Sequence, residues 1–265
     1  MITKTEEGNI RDDNTPESPP VARVRYNKID IIRGITLISM IAYHTVVDLV
    51  FIFGVSIGWF GSVWSEIWQQ SICWTFILLS GFCFSLGRKK IIRGLTIFVG
   101  GAIVSAVTIV VTPNLKIIFG ILTLIGSLMI ICAPLEKLLR KCCAPLGAVV
   151  SFLLFSLTYG LQKRYIGFFT VKLLTLPEVI YRNYFTAYLG FPKWGFISAD
   201  YFPIFPWIFL FVTGYFVFRI LNERNLLGFL VGRRIPPLEF IGKHTLPIYM
   251  IHQPLIYGIC WLIFK

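Results

Sequence analysis

The stretch Ile29–Phe53 reads IDIIRGITLISMIAYHTVVDLVFIF. It is long enough to cross a bilayer, which takes about 20 predominantly apolar residues. It also carries Asp30, Arg33, His44 and Asp48, side chains that are costly inside a membrane and usually functional there. At about 100° per residue these four fall within roughly 60° of one another, with Leu37 and Ile41 filling the same face. Arg33 and His44 are separated by three turns, or about 16 Å of rise at 1.5 Å per residue. One stripe therefore joins the headgroup zone to the middle of the bilayer.

The rest of the chain fits that start. Of 265 residues, 56% are apolar and 14% charged, against roughly 25% charged in a soluble domain. Further spans are expected at about 66–86, 91–111, 115–135, 145–161, 202–221 and 244–264. The fold class is an all-α polytopic transmembrane bundle of about seven spans, filling residues 29–265, with no room for a separate soluble enzyme domain. Pro203 and Pro206 sit in the first turn of the sixth span, where proline is tolerated. Pro247 and Pro254 are expected to bend the seventh. Residues 1–28 are polar and lack an apolar leader core, and read as a disordered cytoplasmic tail.

Residues 162–201 mix cations, aromatics and prolines without a clean span. An interfacial amphipathic helix and a structured loop are expected there. Residues 222–243 read as a polar, basic loop. The net charge of +12 is topogenic in this context and calls for no nucleic-acid partner. Lys and Arg concentrate in the short loops that share a side with the N-terminus, which places that end in the cytoplasm and the chain in the plasma membrane. The same charges suit membrane lipids and an anionic cosubstrate. The six cysteines show neither metal spacing nor a disulfide framework, and no metal is expected.

Several residues carry the chemistry. Arg33 can hold phosphate or carboxylate through paired hydrogen bonds. Ile91-Ile92-Arg93-Gly94 repeats Ile31-Ile32-Arg33-Gly34, so Arg33 and Arg93 are expected at one depth. Arg88, Arg233 and Arg234 lie on the same side and are further candidates for holding the phosphates of an anionic cosubstrate. The His44 imidazole can accept a proton, and Asp48, one turn on, is placed to steady it. A structural reading stands beside this one, in which Asp30 pairs with Arg33 and His44 with Asp48 as interhelical contacts. For Asp30 the structural role is preferred. His252, with Gln253, reads equally as a second buried imidazole in the same cavity or as packing. Asp200 is either a helix cap or an acceptor-binding carboxylate. Buried His and Asp residues also suit a transporter or flippase, although no long internal repeat marks two related halves.

Asp30-x-x-Arg33-Gly34 with His44 and Asp48 resembles the start of the catalytic-domain family named after heparan-alpha-glucosaminide N-acetyltransferase. The resemblance extends to Phe76–Gly81, Arg93-Gly94, Phe119–Leu122, Asp200-Tyr201-Phe202-Pro203, Ile241–His244 and Tyr249-x-x-His252-Gln253-Pro254. It covers about 25–262 and is similar to the small prokaryotic branch. The Arg33 to His44 spacing also matches that of the acyltransferase-three O-acetyltransferases. The resemblance implies acetyl-CoA as cosubstrate, bound from the cytoplasm, and acetyl transfer to a hydroxyl or amine of a sugar, glycan or lipid-linked acceptor. A homo-oligomer is compatible with the sequence but is not read from it. Three features depart from the family. Residues 54–65 hold no histidine, where the lysosomal namesake has its proposed catalytic one. Thr123 stands where many small-branch members carry histidine, and seven spans replace ten or more.

Overall fold

The computed structural model describes residues 25–264. Among them, seven helices are long and apolar enough to cross a membrane, as the sequence predicts. These are α1 (Asn27–Phe51), α2 (Val63–Phe84), α3 (Lys90–Val111), α4 (Ile121–Leu139), α5 (Ala144–Thr158, which runs on through a short 3-10 turn to make the span Ala144–Lys163), α7 (Ile204–Glu223) and α9 (Thr245–Phe264). The short helices α6 (Tyr184–Leu189) and α8 (Pro236–Lys243) and the strands β1 (Tyr165–Phe168) and β2 (Val171–Thr175) complete the order.

The core runs between α2, α4 and α7, where Ile77, Leu128 and Phe211 are fully buried. Helix α7 packs against α2 on one side and α5 on the other. The α2–α7 contact is backbone to backbone. A side chain at Gly81 would strike the Phe211 carbonyl, and one at Gly214 the Leu78 carbonyl. Apolar helices gain nothing from lipid by associating, so small residues that let backbones approach supply the packing. Helices α3 and α9 expose Val99, Ile103, Ile251 and Leu255, as lipid-facing surfaces do.

Helix α1 begins at Asn27, inside the segment expected to be a tail. The Asn27 amide donates to the Gly232 and Arg233 carbonyls at 2.8 and 3.2 Å and accepts from Gly232 N–H at 2.9 Å. The rest of the expected tail, residues 1–24, lies outside the described residues. Helix α4 starts at Ile121 rather than near 115, because the preceding chain has other partners. Phe202 N–H donates to the Phe119 carbonyl at 2.8 Å, Ala199 N–H to the Lys116 carbonyl at 3.0 Å, and Ile118 N–H to Ser198 Oγ at 2.8 Å.

Residues 162–201 differ from expectation. The helix there is only the six residues of α6, and an antiparallel hairpin, β1 paired with β2, precedes it in an otherwise irregular segment. Arg164 and Phe169 take positive φ, 67° and 50°, and bound a strand too short for a helical period. Asn183 and Thr186 form a reciprocal cap on α6, and Gly190 ends it. The basic loop after α7 also contains a helix, α8. It starts with proline in its first turn, where the missing N–H costs nothing. Glu239 then accepts from Ile235 N–H at 3.2 Å.

Candidate active site

Helix α8 lies across α1 at closest approach. A side chain on Gly242 would strike the Asp30 carbonyl, and one on Gly34 the Leu238 carbonyl. This crossing brings Lys243 beside Arg33. Together with Arg93 of α3 they line a cavity of about 210 Å³ between α1, α2, α3, α4 and the start of α9. Arg33 and Lys243 are about one quarter exposed (26% and 27%), so their charged heads reach the cavity mouth. The two arginines of the repeated Ile-Ile-Arg-Gly motif thus line the same cavity. Ser80 and Thr245 add hydroxyls to its wall, and Tyr249 lies in it too.

Carboxylates balance the cations around this mouth. Asp30 accepts from Arg25 at 3.0 Å and stands 3.9 Å from Arg33, the structural role preferred for it. Glu239, 1% exposed, is paired with Arg234 at 3.3 Å and Lys243 at 3.5 Å. Burial alone would raise its carboxyl, but the hydrogen bonds and charges of Arg234 and Lys243 outweigh it and hold the group below the usual range. Arg234 is therefore engaged with Glu239. Arg88 and Arg233 are exposed, and none of these three lines the cavity. Of the five candidate phosphate-holding arginines, Arg33 and Arg93 are brought together and Arg88, Arg233 and Arg234 stand apart from them. A buried Lys90–Glu136 pair, joined by Arg140 at 2.9 Å, ties α3 to α4 nearby.

Deeper in the bundle, α1 faces α9. The His44 and His252 rings lie with centroids 5.1 Å apart, and His252 lies 5.2 Å from the Tyr249 ring. His44 therefore points at a neighbouring helix rather than at lipid, and His252 shares its surroundings. The expected pairing of Asp48 with His44 is not what forms. Asp48, fully buried, takes the Gln253 amide as its partner at 2.7 Å. The i, i+4 spacing keeps His44 and Asp48 on one face, but a planar amide arriving from α9 satisfies the carboxylate better than an imidazole one turn away. His244 is exposed, and its Nδ1 lies 2.8 Å from the Phe240 carbonyl.

Asp200 closes the far side. Its carboxylate accepts from Ile121 N–H at 3.0 Å and so caps α4. It also lines a cavity of about 10 Å³ with Gly120, Thr123 and Tyr249, room for one water. The residue is partly exposed, but its carboxyl is enclosed. Burial pushes that carboxyl up to about 6, against the Ile121 hydrogen bond, which favours the ionised form. Tyr249, Ile121 and Leu122 line both cavities. Tyr249 and Lys243 are the site residues that sequence reasoning passed over. Both stand in motifs that carry the resemblance, Tyr249 in Tyr-x-x-His-Gln-Pro and Lys243 in Ile241–His244, without a role assigned to either.

A mostly helical, multi-pass membrane bundle with a cationic cavity, and with buried histidines beyond its Tyr249 wall, defines the class of protein. Within it, the chain belongs to the heparan-alpha-glucosaminide N-acetyltransferase catalytic family, whose model matches residues 25–254. It is a membrane acetyltransferase family. No curated protein and no solved structure matches the chain.

Proposed function

We propose that the chain moves an acetyl group from acetyl-CoA to a hydroxyl or amine of a sugar, glycan or lipid-linked acceptor in the plasma membrane. The observation that carries this reading is the continuity of the site. A cavity with cations at its mouth ends on Tyr249, whose ring lies on His252. The donor's leaving group is anionic at one end and reactive at the other, and the site has matching ends.

In this reading the end bearing Arg33, Arg93 and Lys243 faces the cytoplasm, where short-loop charge is densest. The cavity, at about 210 Å³, is smaller than the roughly 300–1,000 Å³ of drug-sized pockets. It takes the narrow thioester arm and leaves the phosphorylated nucleotide at the mouth. Arg33, Arg93 and Lys243 hold its phosphates, while Arg88, Arg233 and Arg234 act only from outside. The acceptor oxygen or nitrogen attacks the thioester carbonyl and the C–S bond breaks. An imidazole of the His44–His252 pair takes the acceptor's proton and returns it to the departing thiolate. Asp48 acts through Gln253, and Asp200 lies on the acceptor side.

The test uses purified protein in lipid nanodiscs. Coenzyme A is expected to raise the melting temperature of the wild type, since a ligand that binds the folded state stabilises it, and to lose that effect in Arg33→Ala/Arg93→Ala. A transporter has no reason to respond. His44→Ala/His252→Ala is expected to keep the thermal response and lose acetyl transfer. Full transfer by that double variant ends the reading.

A further inference from the structure

The α1–α9 contact leaves a pattern that the general reading does not use. His252 Nδ1 lies against the carbonyl oxygen of Tyr249 on its own helix. A carbonyl only accepts, so Nδ1 carries the ring proton and donates it. In the neutral ring the lone pair is then on Nε2. That atom is buried and has no partner. Gln253 uses its Nε2–H on Asp48 Oδ1, which leaves Gln253 Oε1 and Asp48 Oδ2, and both are also buried without a partner.

All three atoms are hydrogen-bond acceptors. The remaining unpartnered buried side-chain atom among the described residues is a donor, Trp207 Nε1 on α7. Buried polar groups are normally satisfied, and each exception calls for an explanation. Three buried acceptors on two facing helices, with no wholly unpartnered buried donor atom of either helix among the described residues, describe a place short of hydrogens. His44, whose ring is 5.1 Å away from His252, has no carbonyl fixing its tautomer among the bonds described.

We propose that His252 is the residue that takes the acceptor's proton, and that Asp48 and Gln253 hold the acceptor's other O–H or N–H groups beside it. The inference rests on the acetyltransferase reading for its chemistry but not for its geometry. It divides the histidine pair: His252 touches the acceptor through a lone pair fixed by the Tyr249 carbonyl, and His44 is its neighbour. Acceptors rich in hydroxyls fit, because each hydrogen they bring meets an unused oxygen or nitrogen. The Tyr249 ring, packed on His252 and lining both cavities, is the side chain the acceptor must pass.

The chain has three histidines, so nitrogen-15 histidine labelling in nanodiscs gives three rings, assigned with His44→Asn and His244→Asn. The expected His252 signal is a protonated Nδ1 and a bare Nε2. A protonated Nε2 overturns the proposal, and this arm requires neither donor nor acceptor. The second arm measures acid-released acetate, which counts ester and amide products alike, from envelope material of cells that make the chain. A wild type no different from empty cells ends the acetyltransferase reading and leaves the tautomer to decide the inference. Where the wild type raises acetate, His252→Asn is expected to lower transfer by about 10²–10⁴-fold, as loss of a general base does. Coenzyme A should still raise its melting temperature, and imidazole should restore part of the activity of His252→Gly. Undiminished acetate from His252→Asn overturns the assignment. If that variant loses the coenzyme A response its fold has failed, and the tautomer decides.

Discussion

The two ends of the site are opposites in hydrogen-bond chemistry. The cavity mouth offers donors: Arg33, Arg93 and Lys243 have N–H groups and no acceptor atoms. The α1–α9 contact offers acceptors: Asp48 Oδ2, Gln253 Oε1 and His252 Nε2 have lone pairs and no hydrogens to meet them. A surplus of donors beside water suits an anion. A surplus of acceptors in the bundle interior suits a ligand that brings protons. One helix, α1, carries residues of both regions, and Tyr249 stands between them. In the proposed reading, the difference means that the donor and acceptor substrates are distinguished by polarity as well as by position.

The largest effect is expected from reversing the donor end. Arg33→Glu replaces a charge-assisted contact, worth about 1.5–3 kcal/mol, with repulsion. Coenzyme A affinity should fall by more than about a hundredfold, measured by calorimetry or thermal shift. Arg88→Glu should change it by less than about threefold at physiological salt, because Arg88 is exposed outside the cavity and screened. Equal losses in the two variants would mean that the cavity does not select the anion.

Gly242→Ala attacks the same end through the backbone. The new methyl meets the Asp30 carbonyl, so α8 must move off α1 and carry Lys243 with it. Overpacking of this kind costs about 1–3 kcal/mol, read as a lower melting temperature, with a weaker coenzyme A response. The His252 ring signals should stay where they are. If they move as well, the two regions are one mechanical unit and the contrast between them is weaker than drawn.

Asp48→Asn tests the acceptor end with opposite signs for stability and activity. A buried neutral amide costs less in a membrane than a carboxylate, and it can still bond to Gln253, so the melting temperature should hold or rise. One acceptor is exchanged for a donor, and transfer should fall by about tenfold, in line with the loss of one hydrogen bond to substrate. A variant that is less stable and fully active would make Asp48 a packing residue.

The sequence carried the stripe on α1 because periodicity places side chains of a single helix, and Arg33 and His44 lie 16 Å apart by helix geometry alone. It carried the seven spans for the same reason, since composition and length suffice. What it missed depends on contacts between distant segments. Asp48 and Gln253 are 205 positions apart, and nothing in either neighbourhood announces the other. Lys243 joins the cavity only because Gly34 and Gly242 let α8 press on α1. Arg88, Arg233 and Arg234 had the right charge on the right side, but Arg234 found Glu239. The α4 boundary moved because residues 116–120 bond to residues 198–202 across the bundle, a pairing invisible to a hydropathy window.

The smallest expected effect concerns the carboxylate that is not an orphan. Asp200, unlike Asp48 Oδ2, has its hydrogen bond, from Ile121 N–H, yet burial raises it to about 6, above the ordinary value near 3.9. A carboxyl raised in the folded state binds its proton more tightly there than in the unfolded chain. Its contribution to stability is therefore complete below about pH 4 and is lost as pH rises through about 6. Glu239 works in the other direction and in another window: held low by Arg234 and Lys243, it gives stability that is lost only as pH falls below the ordinary glutamate range. Between about pH 4 and 6, then, the wild-type melting temperature should fall by a few degrees relative to that of Asp200→Asn, which keeps an acceptor for Ile121. An unchanged slope in Asp200→Asn would place the titration elsewhere and leave Asp200 as a plain cap on α4.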